Sequence, residues 1–315
     1  MGDMIDVAVI GGGPAGLTAG LYAARGNART FIFERSMPGG QVVTTDRIEN
    51  YPAFPEGVSG AELGELMHQQ AITHGAQVMQ FVDITALNRL DDGTFELVSD
   101  YETYQARSVV LAAGAVPSRL GIPGEAEHVG RGVSWCATCD ATFYREKDVV
   151  VIGGGDAAVE EAMFLAKFAR KVYLIHRRNE FRATAVLVDR ACATENLEIL
   201  TPYVPIEIKG ENGKVSGLVI ESADDGVKRE LPVNGVFEYV GVVPQNALVE
   251  DLLERDERGY IIVGEDGSTS VPGLYSAGDL TQGPLKQIVT AAATGAIAGF
   301  SVLQYLDSLD RDKAE

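Results

Sequence analysis

Two stretches of the chain share one pattern of apolar, glycine and polar positions, and each predicts a strand, a helix and a second strand. Residues 7 to 35 read VAVIGGGPAGLTAGLYAARGNARTFIFER, and residues 149 to 177 read VVVIGGGDAAVEEAMFLAKFARKVYLIHR. Each opens with a β-branched run, turns through glycines and continues as small and apolar residues typical of a closely packed helix. Gly11 and Gly153 mark a constant offset of 142 residues. The sequence therefore predicts two copies of the βαβ unit that binds dinucleotides.

The small residues of each turn stand where a bound pyrophosphate would need them. In the first copy Gly11 permits the tight turn, Gly13 lets the backbone approach the phosphates, and Gly16 keeps the helix close to its strand. The same three roles fall in the second copy to Gly153, Gly155 and Ala158. In both copies the positive end of the helix would face the phosphates.

The two copies differ where the second strand ends. The first copy ends in Glu34, and the equivalent position of the second copy is His176, followed by Arg177 and Arg178. A carboxylate suits a ribose with free hydroxyls, whereas guanidinium groups suit a 2′-phosphate. Arg182 would join these arginines if the segment HRRNEFR is helical. The first site is therefore expected to bind an adenine nucleotide with an unmodified ribose, and the second to bind NADP(H).

The order of these patterns predicts an α/β protein of two Rossmann-like three-layer domains, the second inserted into the first. Residues 108–124 and 234–248 each read as a strand followed by glycine and proline, which is typical of a crossing between domains. A further strand ends at Gly278-Asp279. We expect a discontinuous outer domain and an inserted domain, with these bounds: 1–117 with 247–315, and 118–246.

Composition excludes several classes of partner. The chain has 315 residues, a net charge of −19 and 46% hydrophobic residues, which argues against nucleic acid and against an anionic membrane surface. The N-terminus has no basic region followed by a long apolar one, so we expect a cytoplasmic protein. Residues 287–306 have the length of a membrane span, but their Ala, Gly and Thr content predicts a buried helix of a globular domain.

The cysteines are few, and two of them are close together. Cys136 and Cys139 form the segment CATCD, and Cys192 stands alone. An isolated pair in a cytosolic chain is typical of a catalytic or metal-binding dithiol. A structural zinc site needs four ligands, and the chain offers neither a second pair nor histidines at the required spacing. We therefore expect no metal.

Over nearly its whole length the chain resembles the low-molecular-weight, bacterial-type thioredoxin reductases, a group of pyridine nucleotide-disulfide oxidoreductases. The resemblance rests on both glycine motifs, GGQVVTTDRIENYP (39–52), CATCD, HRRNEFR and SAGDL. It implies an FAD domain carrying an inserted NADPH domain, a homodimer, and reduction of thioredoxin or a thioredoxin-like protein by NADPH.

The resemblance assigns residues to each nucleotide. Those expected around FAD are Gly11, Gly13, Pro14, Ala15, Gly16, Glu34, Arg35, Gly40, Gln41, Asn50, Ala113, Gly114, Gly278, Asp279, Lys286, Gln287 and Ile288. Those expected around NADPH are Gly153, Gly155, Asp156, Ala157, Ala158, His176, Arg177, Arg178, Arg182 and Gly241. One departure concerns Lys286, which replaces an arginine of the better-known members and lacks its planar fork.

The resemblance also implies an order of electron transfer. NADPH reduces FAD, the flavin reduces the Cys136–Cys139 disulfide, and the dithiol reduces the partner. Cys139 would lie nearest the flavin, Cys136 would attack the partner's disulfide, and Asp140 would act as the acid. Because the dithiol and the second nucleotide motif belong to one inserted domain, we expect that domain to rotate so that each reaches the flavin in turn.

Other functions stay open at the level of the sequence. A ferredoxin-fed reductase should lack the second glycine motif and its arginines, and a ferredoxin–NADP reductase would not need the cysteines. A peroxiredoxin-reductase subunit would carry an additional redox domain, and a non-enzymatic flavoprotein would leave the dithiol unexplained. The alternative is a reductase of the same fold that serves another thioredoxin-like partner, or a variant fed by ferredoxin or NADH.

Overall fold

The structure is a computed structural model that describes residues 4–45, 48 and 50–314, with side chains to residue 311. Asp46, Arg47 and Glu49, which belong to the motif at 39–52, lie outside the described residues.

Seventeen strands and six helices are assigned among the described residues. The strands are β1 (Ile5–Ile10), β2 (Thr30–Glu34), β3 (Gln77–Gln80), β4 (Ile84–Arg89), β5 (Phe95–Ser99), β6 (Thr103–Leu111), β7 (Ala115–Pro117), β8 (Val133–Ser134), β9 (Asp148–Ile152), β10 (Lys171–Ile175), β11 (Leu197–Leu200), β12 (Tyr203–Glu211), β13 (Lys214–Ser222), β14 (Lys228–Leu231), β15 (Gly235–Glu238), β16 (Val242–Pro244) and β17 (Leu274–Ser276). The helices are α1 (Pro14–Arg25), α2 (Gly60–Thr73), α3 (Ala137–Asp140), α4 (Asp156–Leu165), α5 (Ala185–Cys192) and α6 (Ile288–Ala314).

The chain divides into two compact units, residues 1–116 with 243–315 and residues 117–242. In the first unit a seven-stranded sheet runs in the order β3-β2-β1-β6-β5-β4, with β17 also on β6. Strands β1, β2, β3, β6 and β17 are parallel, and β4 and β5 are antiparallel to their neighbours. The second unit has a parallel sheet in the order β11-β10-β9-β15-β8 and an antiparallel sheet, β12-β13-β14.

The predicted repeat forms as two units with the same order of elements. The β1-α1-β2 unit of the first sheet matches the β9-α4-β10 unit of the second, and both helices begin directly after the glycine turn. The chain is therefore an α/β protein with two Rossmann-like domains. The antiparallel sheet β12-β13-β14 was not predicted from the sequence.

The continuous apolar runs of β1 and β9 follow from burial on both faces of a parallel sheet. Ala8 and Ile10 enter one apolar cluster of the first unit, and Val7 enters the cluster on the opposite face. Val149 and Val150 divide in the same way between the two clusters of the second unit. Each strand thus places the turn that follows it at the carboxyl edge of a fixed sheet, where ligands of such sheets bind.

Two short strands form where the chain crosses between the units. Strand β7 pairs with β16, although the sequence reads there as glycine- and proline-rich loop. Gly114 accepts the N–H of Gln245 at 2.9 Å, and Gly241 accepts the N–H of Ser118 at 2.9 Å. The two crossings therefore run beside each other as a paired ribbon.

Helix α6 is held against α1 by glycine. A Cβ on Gly295 would lie 2.2 Å from the carbonyl oxygen of Ala15, and one on Gly299 would lie 2.5 Å from that of Ala19. The prediction of a buried helix is correct for this face only, because Ile297 and Phe300 are exposed on the other face. By length and composition, residues 288–311 could cross a membrane, but core helices of globular proteins also meet this criterion.

Candidate active site

The first glycine turn packs so closely that side chains would not fit. Gly11 has φ +107°, and a Cβ there would lie 2.4 Å from the carbonyl oxygen of Ala112. A Cβ on Gly16 would lie 1.8 Å from the carbonyl oxygen of Gly11, so the helix lies directly on the turn. Gly13 precedes α1 without a side-chain cap, and Pro14 occupies the first helical position. Gly13 therefore provides no side-chain hydrogen bond to the N–H groups at the start of α1.

Glu34 is fixed beside this turn at the end of β2. It is buried, and its Oε2 accepts the N–H of Gly12 at 2.7 Å. Its Oε1 accepts both the N–H and the hydroxyl of Ser36 at 2.8 Å. Each carboxylate oxygen has two lone pairs, so the group retains acceptor capacity for hydroxyls while its orientation is set by the backbone.

Other first-unit residues expected at FAD converge on the same turn. A Cβ on Gly40 would lie 2.9 Å from the Cα of Gly13, and one on Gly278 would lie 2.8 Å from the Cβ of Ala15. Gly278 also donates its N–H to Thr294 of α6 at 2.9 Å. Segments distant in the sequence therefore meet at the N-terminus of α1.

A second group lies around the start of α6. Asn50 donates to the Oε1 of Gln287 at 3.0 Å, and Gln41 donates to the carbonyl of Ala115. Burial raises the pKa of Asp279, and the positive charge of Lys286 partly opposes this rise. The Nζ of Lys286 lies 4.5 Å from the centre of the Tyr260 ring and donates to the carbonyl of Thr281. Tyr260 was not predicted as part of this group.

The cradle of the first unit fits the ADP half of FAD. It combines glycine contacts that exclude any side chain, a helix N-terminus without a side-chain cap, and a buried carboxylate held at the end of β2. Backbone N–H groups at a helix N-terminus bind phosphate, and the carboxylate suits ribose hydroxyls. Of the remaining candidates, Arg35 is exposed, Ala113 and Gly114 follow β6, and Ile288 begins α6.

The second glycine turn repeats this arrangement with different polar groups. Gly155 precedes α4 without a side-chain cap, and a Cβ there would meet nothing within 4 Å. The ring of His176 lies against Gly154, where a Cβ would be 2.2 Å from its Cε1. The Nε2 of His176 is buried and has no hydrogen-bond partner among the described residues. This turn is therefore open at the glycine expected to approach the phosphates.

The arginines gather at this turn although the segment that carries them is not helical. Residues 177–184 contain bends and no helix, so the helix considered for the segment HRRNEFR does not form. Arg182 is nevertheless brought back to the turn because its N–H donates to the carbonyl of Gly154 at 2.8 Å. Burial lowers the pKa of His176, and the charges of the three exposed arginines, Arg177, Arg182 and Arg178, lower it further.

The second site therefore fits a phosphorylated pyridine nucleotide. Its donor set is a glycine turn, a helix N-terminus and three guanidinium groups beside a histidine whose buried nitrogen lacks a partner. Asp156 and Ala157 begin α4, Ala158 is buried against Gly153, and Gly241 lies just before β16.

Cys136 and Cys139 form a disulfide in the second unit, with their Cα atoms 5.3 Å apart. Cys136 has extended backbone just before the single turn of α3, and Cys139 lies within that turn. The N–H of Cys136 donates to the hydroxyl of Ser134 at 3.1 Å. Cys136 is half-buried, and its sulfur lies 3.4 Å from the hydroxyl oxygen of Thr138.

Asp140 follows the second sulfur directly. Burial raises the pKa of this carboxyl, and a hydrogen bond with Ser134 acts in the opposite direction. A carboxyl that retains its proton at higher pH than an ordinary aspartate is suited to donate a proton.

Sequence reasoning missed two residues that hold the disulfide loop, the last residue of β15 and the residue that follows it. Glu238 accepts the indole N–H of Trp135 at 3.1 Å, and the hydroxyl oxygen of Tyr239 accepts the N–H of Ala137 at 2.7 Å. The available signal was the acidic residue in the apolar run GVFEYVG, since a charge at such a position of a parallel strand is buried.

Within the described residues no cluster of His, Cys, Asp and Glu is placed to hold a metal, and Cys192 is an exposed free thiol.

Comparison with known proteins places this arrangement in a family. The family model described as pyridine nucleotide-disulphide oxidoreductase matches residues 5–295. The thioredoxin reductase of Helicobacter pylori is 45% identical over 96% of this chain and 99% of its own, and that of Mycolicibacterium smegmatis is 43% identical over 97% of each. The crystal structure of the Streptococcus pyogenes thioredoxin reductase is 41% identical, covers 98% of this chain and 100% of its own, and superposes with a TM-score of 0.92.

A matched dinucleotide turn in each unit, a disulfide in the second unit and similarity along almost the whole length agree with one another. The chain belongs to the thioredoxin reductases of the pyridine nucleotide-disulphide oxidoreductase family.

Proposed function

We propose that this chain carries electrons from NADPH, through FAD and the Cys136–Cys139 disulfide, to thioredoxin or a thioredoxin-like protein. The observation that carries the proposal is that the disulfide and the arginine-bearing nucleotide turn belong to one unit, residues 117–242, whereas the carboxylate-bearing turn belongs to the other. Two nucleotides with different riboses and one exchangeable disulfide are the components of such a reductase.

FAD would be held by the first unit. The N-terminus of α1 would bind the phosphates, and Glu34 would bind the adenosine ribose, since its orientation is already fixed by Gly12 and Ser36. Asp279, with Lys286 beside it, would bind the flavin's ribityl and phosphate portion. The hydrogen-bonded pair of Asn50 and Gln287 would lie near the isoalloxazine.

NADPH would be held by the second unit. The open Gly155 and the start of α4 would receive the pyrophosphate, and Arg177, Arg178 and Arg182 would bind the 2′-phosphate. When both nucleotides are bound, FAD supplies the chemistry of accepting a hydride from NADPH and passing the electron pair to a disulfide.

The protein's own part is to cleave and re-form one disulfide bond. Reduction of Cys136–Cys139 takes two electrons and two protons, and Asp140, whose pKa is raised by burial, would supply one of the protons. The thiolate of Cys136 then attacks the disulfide of the partner, forming a mixed disulfide and releasing one partner thiol. Attack by Cys139 on the mixed disulfide releases the second partner thiol and restores the starting bond.

The proposal extends to assembly and compartment. A homodimer is supported by the exposed apolar side chains Tyr22 of α1 and Ile297 and Phe300 of α6, which lie on helices that pack against each other. Sedimentation of the purified chain tests the homodimer, and the mass of a single protomer would contradict it.

A cytoplasmic setting is supported by the exposed free thiol of Cys192 and by a disulfide whose proposed role requires repeated reduction.

The test is a comparison of electron donors on the purified flavoprotein. We expect thioredoxin-dependent turnover with NADPH to exceed that with NADH or reduced ferredoxin, and Cys136→Ser to abolish it. Removal of charge-assisted contacts to the 2′-phosphate in Arg177→Ala/Arg178→Ala should raise the KM for NADPH by about 10- to 100-fold. Arg131→Ala, at an exposed arginine of the same unit, is the matched control. An unchanged preference in the double variant would refute this phosphate site.

A further inference from the structure

Two buried glutamates of the second unit have no role in the mechanism above. Glu238 is 2% exposed at the end of β15, and Glu125 is 3% exposed in the segment before β8. The Oε2 of Glu238 accepts the indole N–H of Trp135, and the Oε2 of Glu125 accepts the N–H of Gly121 at 2.6 Å. In both glutamates the Oε1 atom is buried without a hydrogen-bond partner among the described residues.

A side-chain hydrogen bond links Glu125 to Glu238 and helps to raise the pKa of Glu238, so the two carboxyl groups are neighbours in this buried site. Two ionised carboxylates so close in a buried site repel, whereas one shared proton lets the first carboxyl donate to the second. That single proton would satisfy both unpartnered Oε1 atoms, while each Oε2 stays with its N–H donor. The hydrogen bonds of the pair are therefore all satisfied only when the two carboxyl groups hold one proton between them.

Burial and the negative charge of Glu125 favour the protonated state of Glu238, and together they outweigh the groups that oppose it. Burial raises the pKa of Glu238 to about 8, and the charge of Glu125 acts in the same direction. The indole N–H of Trp135 and the charge of Arg119 oppose this shift. Within the described part of the chain, Glu125 and Arg119 are the charged groups that act on Glu238, and the Arg119 guanidinium also lies 5.5 Å from the Trp135 ring centre.

The pair is connected to the disulfide through the backbone on both sides of Cys136. Trp135 precedes this cysteine and is tied to Glu238, while Ala137 follows it and is tied to Tyr239. Glu238 and Tyr239 are consecutive, and the N–H of Tyr239 continues the pairing with β9 through the carbonyl of Ile152 at 2.8 Å. The end of a central strand thus holds the neighbours of the sulfur that attacks the partner.

We propose that Glu125 and Glu238 share one proton and, through Trp135, are positioning residues for Cys136. Loss of the shared proton leaves two negative charges in one buried pocket, and their repulsion moves Glu238 and Trp135 away from the positions that fix the loop. The proposal rests on the exchange role assigned above to Cys136, so its test needs a readout that does not depend on turnover.

Trp135 supplies that readout, because it is the single tryptophan of the chain. Tryptophan emission of the oxidised holoenzyme is recorded from about pH 6 to about pH 10, a window that lies above the ordinary glutamate pKa of about 4.3. We expect one transition near pH 8, the value to which the pKa of Glu238 is raised. Glu238→Gln should abolish it and keep the emission of the low-pH state, since the neutral amide can donate to Glu125 and accept from Trp135.

Two further variants make the result unambiguous. Glu125→Gln removes the other carboxyl group of the pair and should also abolish the transition. This variant replaces Glu238→Gln in the test if Glu238→Gln does not fold. Glu127→Gln removes the same charge from an exposed position two residues away and should retain the transition. A flat wild-type titration, or a transition that persists unchanged in both Glu125→Gln and Glu238→Gln, would overturn the proposal.

Turnover then separates this proposal from the function on which it rests. Between about pH 7 and about pH 9, the kcat for thioredoxin should fall several-fold more in the wild type than in Glu238→Gln. NADPH-driven ferricyanide reduction bypasses the dithiol, so its rate should change with pH equally in the two proteins. A tryptophan transition without any thioredoxin turnover would refute the proposed function and leave the proton-sharing pair standing. Turnover that shows the same pH profile in both proteins would refute the positioning role.

Discussion

At the scale of single residues, Asp140 gives the most direct test of the proposed chemistry. Burial raises the pKa of its carboxyl, so the proton available to the departing thiolate is retained above the pH at which an ordinary aspartate loses it. Thioredoxin turnover should therefore fall as the pH rises through this raised pKa. Asp140→Asn, which cannot supply the proton, should lower kcat by about 100-fold and remove this limb of the profile.

The control for this prediction is Asp189→Asn, at an exposed aspartate of the same unit. Reduction of ferricyanide by NADPH provides an internal reference, because it does not require the dithiol. If Asp140→Asn retained the wild-type kcat and pH profile, the proton would have to come from another group.

Glu238 makes a prediction about stability whose sign can be worked out. Its pKa rises from 4.5 to about 8 in the folded protein, so between these values the folded state binds a proton that the unfolded state has lost. Stability decreases with pH wherever the unfolded state binds fewer protons. The contribution is fully present below pH 4.5 and is lost as the pH rises through about 8.

The measurement is the thermal midpoint of the oxidised holoenzyme across this pH range. The midpoint of the wild type should fall toward alkaline pH more steeply than that of Glu238→Gln, whose amide does not titrate. Equal slopes for the two proteins would show that Glu238 is ionised throughout, or that its ionisation costs the folded state nothing.

Residues differ in how far the sequence could identify them. The turn around Gly11 and Gly16 could be predicted because glycine is required by backbone contacts that the sequence motif itself implies. The sequence marks Glu238 as an acidic residue in an apolar run, but it does not identify the partners of Glu238 and Tyr239, because these depend on which loop the sheet places above the end of β15. Arg182 reached the expected place by a backbone hydrogen bond rather than by the helix on which its prediction depended.

At the scale of secondary-structure elements, the contact of α6 with α1 couples the two ends of the chain. Gly295→Ala would ordinarily stabilise a helix by roughly 1 kcal/mol. Here the new Cβ would lie 2.2 Å from the carbonyl oxygen of Ala15, so α1 must shift. We expect instead a loss of about 1–3 kcal/mol in the free energy of unfolding, together with weaker retention of FAD, because α1 carries the phosphate-binding turn.

Thermal unfolding and the ratio of flavin absorbance to protein absorbance measure the two effects. Ala61→Leu adds a larger side chain at an exposed position of α2 and should change the free energy of unfolding by less than about 0.5 kcal/mol. A stabilised Gly295→Ala variant with full flavin content would mean that α1 and α6 separate readily in solution.

The same elements show which parts of the fold a sequence encodes locally. The β1-α1-β2 and β9-α4-β10 units follow from apolar periodicity and glycine turns within about thirty residues. The paired ribbon of β7 and β16 does not, because its two strands are far apart in the sequence and each is rich in residues that favour loops. Helix α6 was placed correctly, but whether one face or both are covered depends on neighbours that its own pattern does not specify.

At the scale of the whole molecule, the distribution of the proposed sites between the two units determines which groups must reach the flavin. The proposed NADPH site and the disulfide share residues 117–242, and the proposed FAD site belongs to the other unit. A single flavin must therefore exchange electrons with two groups carried on one inserted unit. We infer that the inserted unit reorients between the two half-reactions, with the crossings at β7 and β16 as the segments that accommodate the movement.

Covalent locking tests this inference, and the cysteine content of the chain permits it. In the oxidised protein Cys136 and Cys139 are protected as a disulfide, so Cys192→Ser leaves no native thiol to compete with an engineered pair. Pairs of new cysteines, one in each unit, are joined with a non-reducible bismaleimide, and pairs within one unit serve as controls. A verified lock between the units should abolish NADPH-driven thioredoxin turnover while FAD stays bound, whereas the control crosslinks should leave turnover intact. Reorientation is required if every lock has this effect, and it is refuted if a fully crosslinked protein turns over at the uncrosslinked rate.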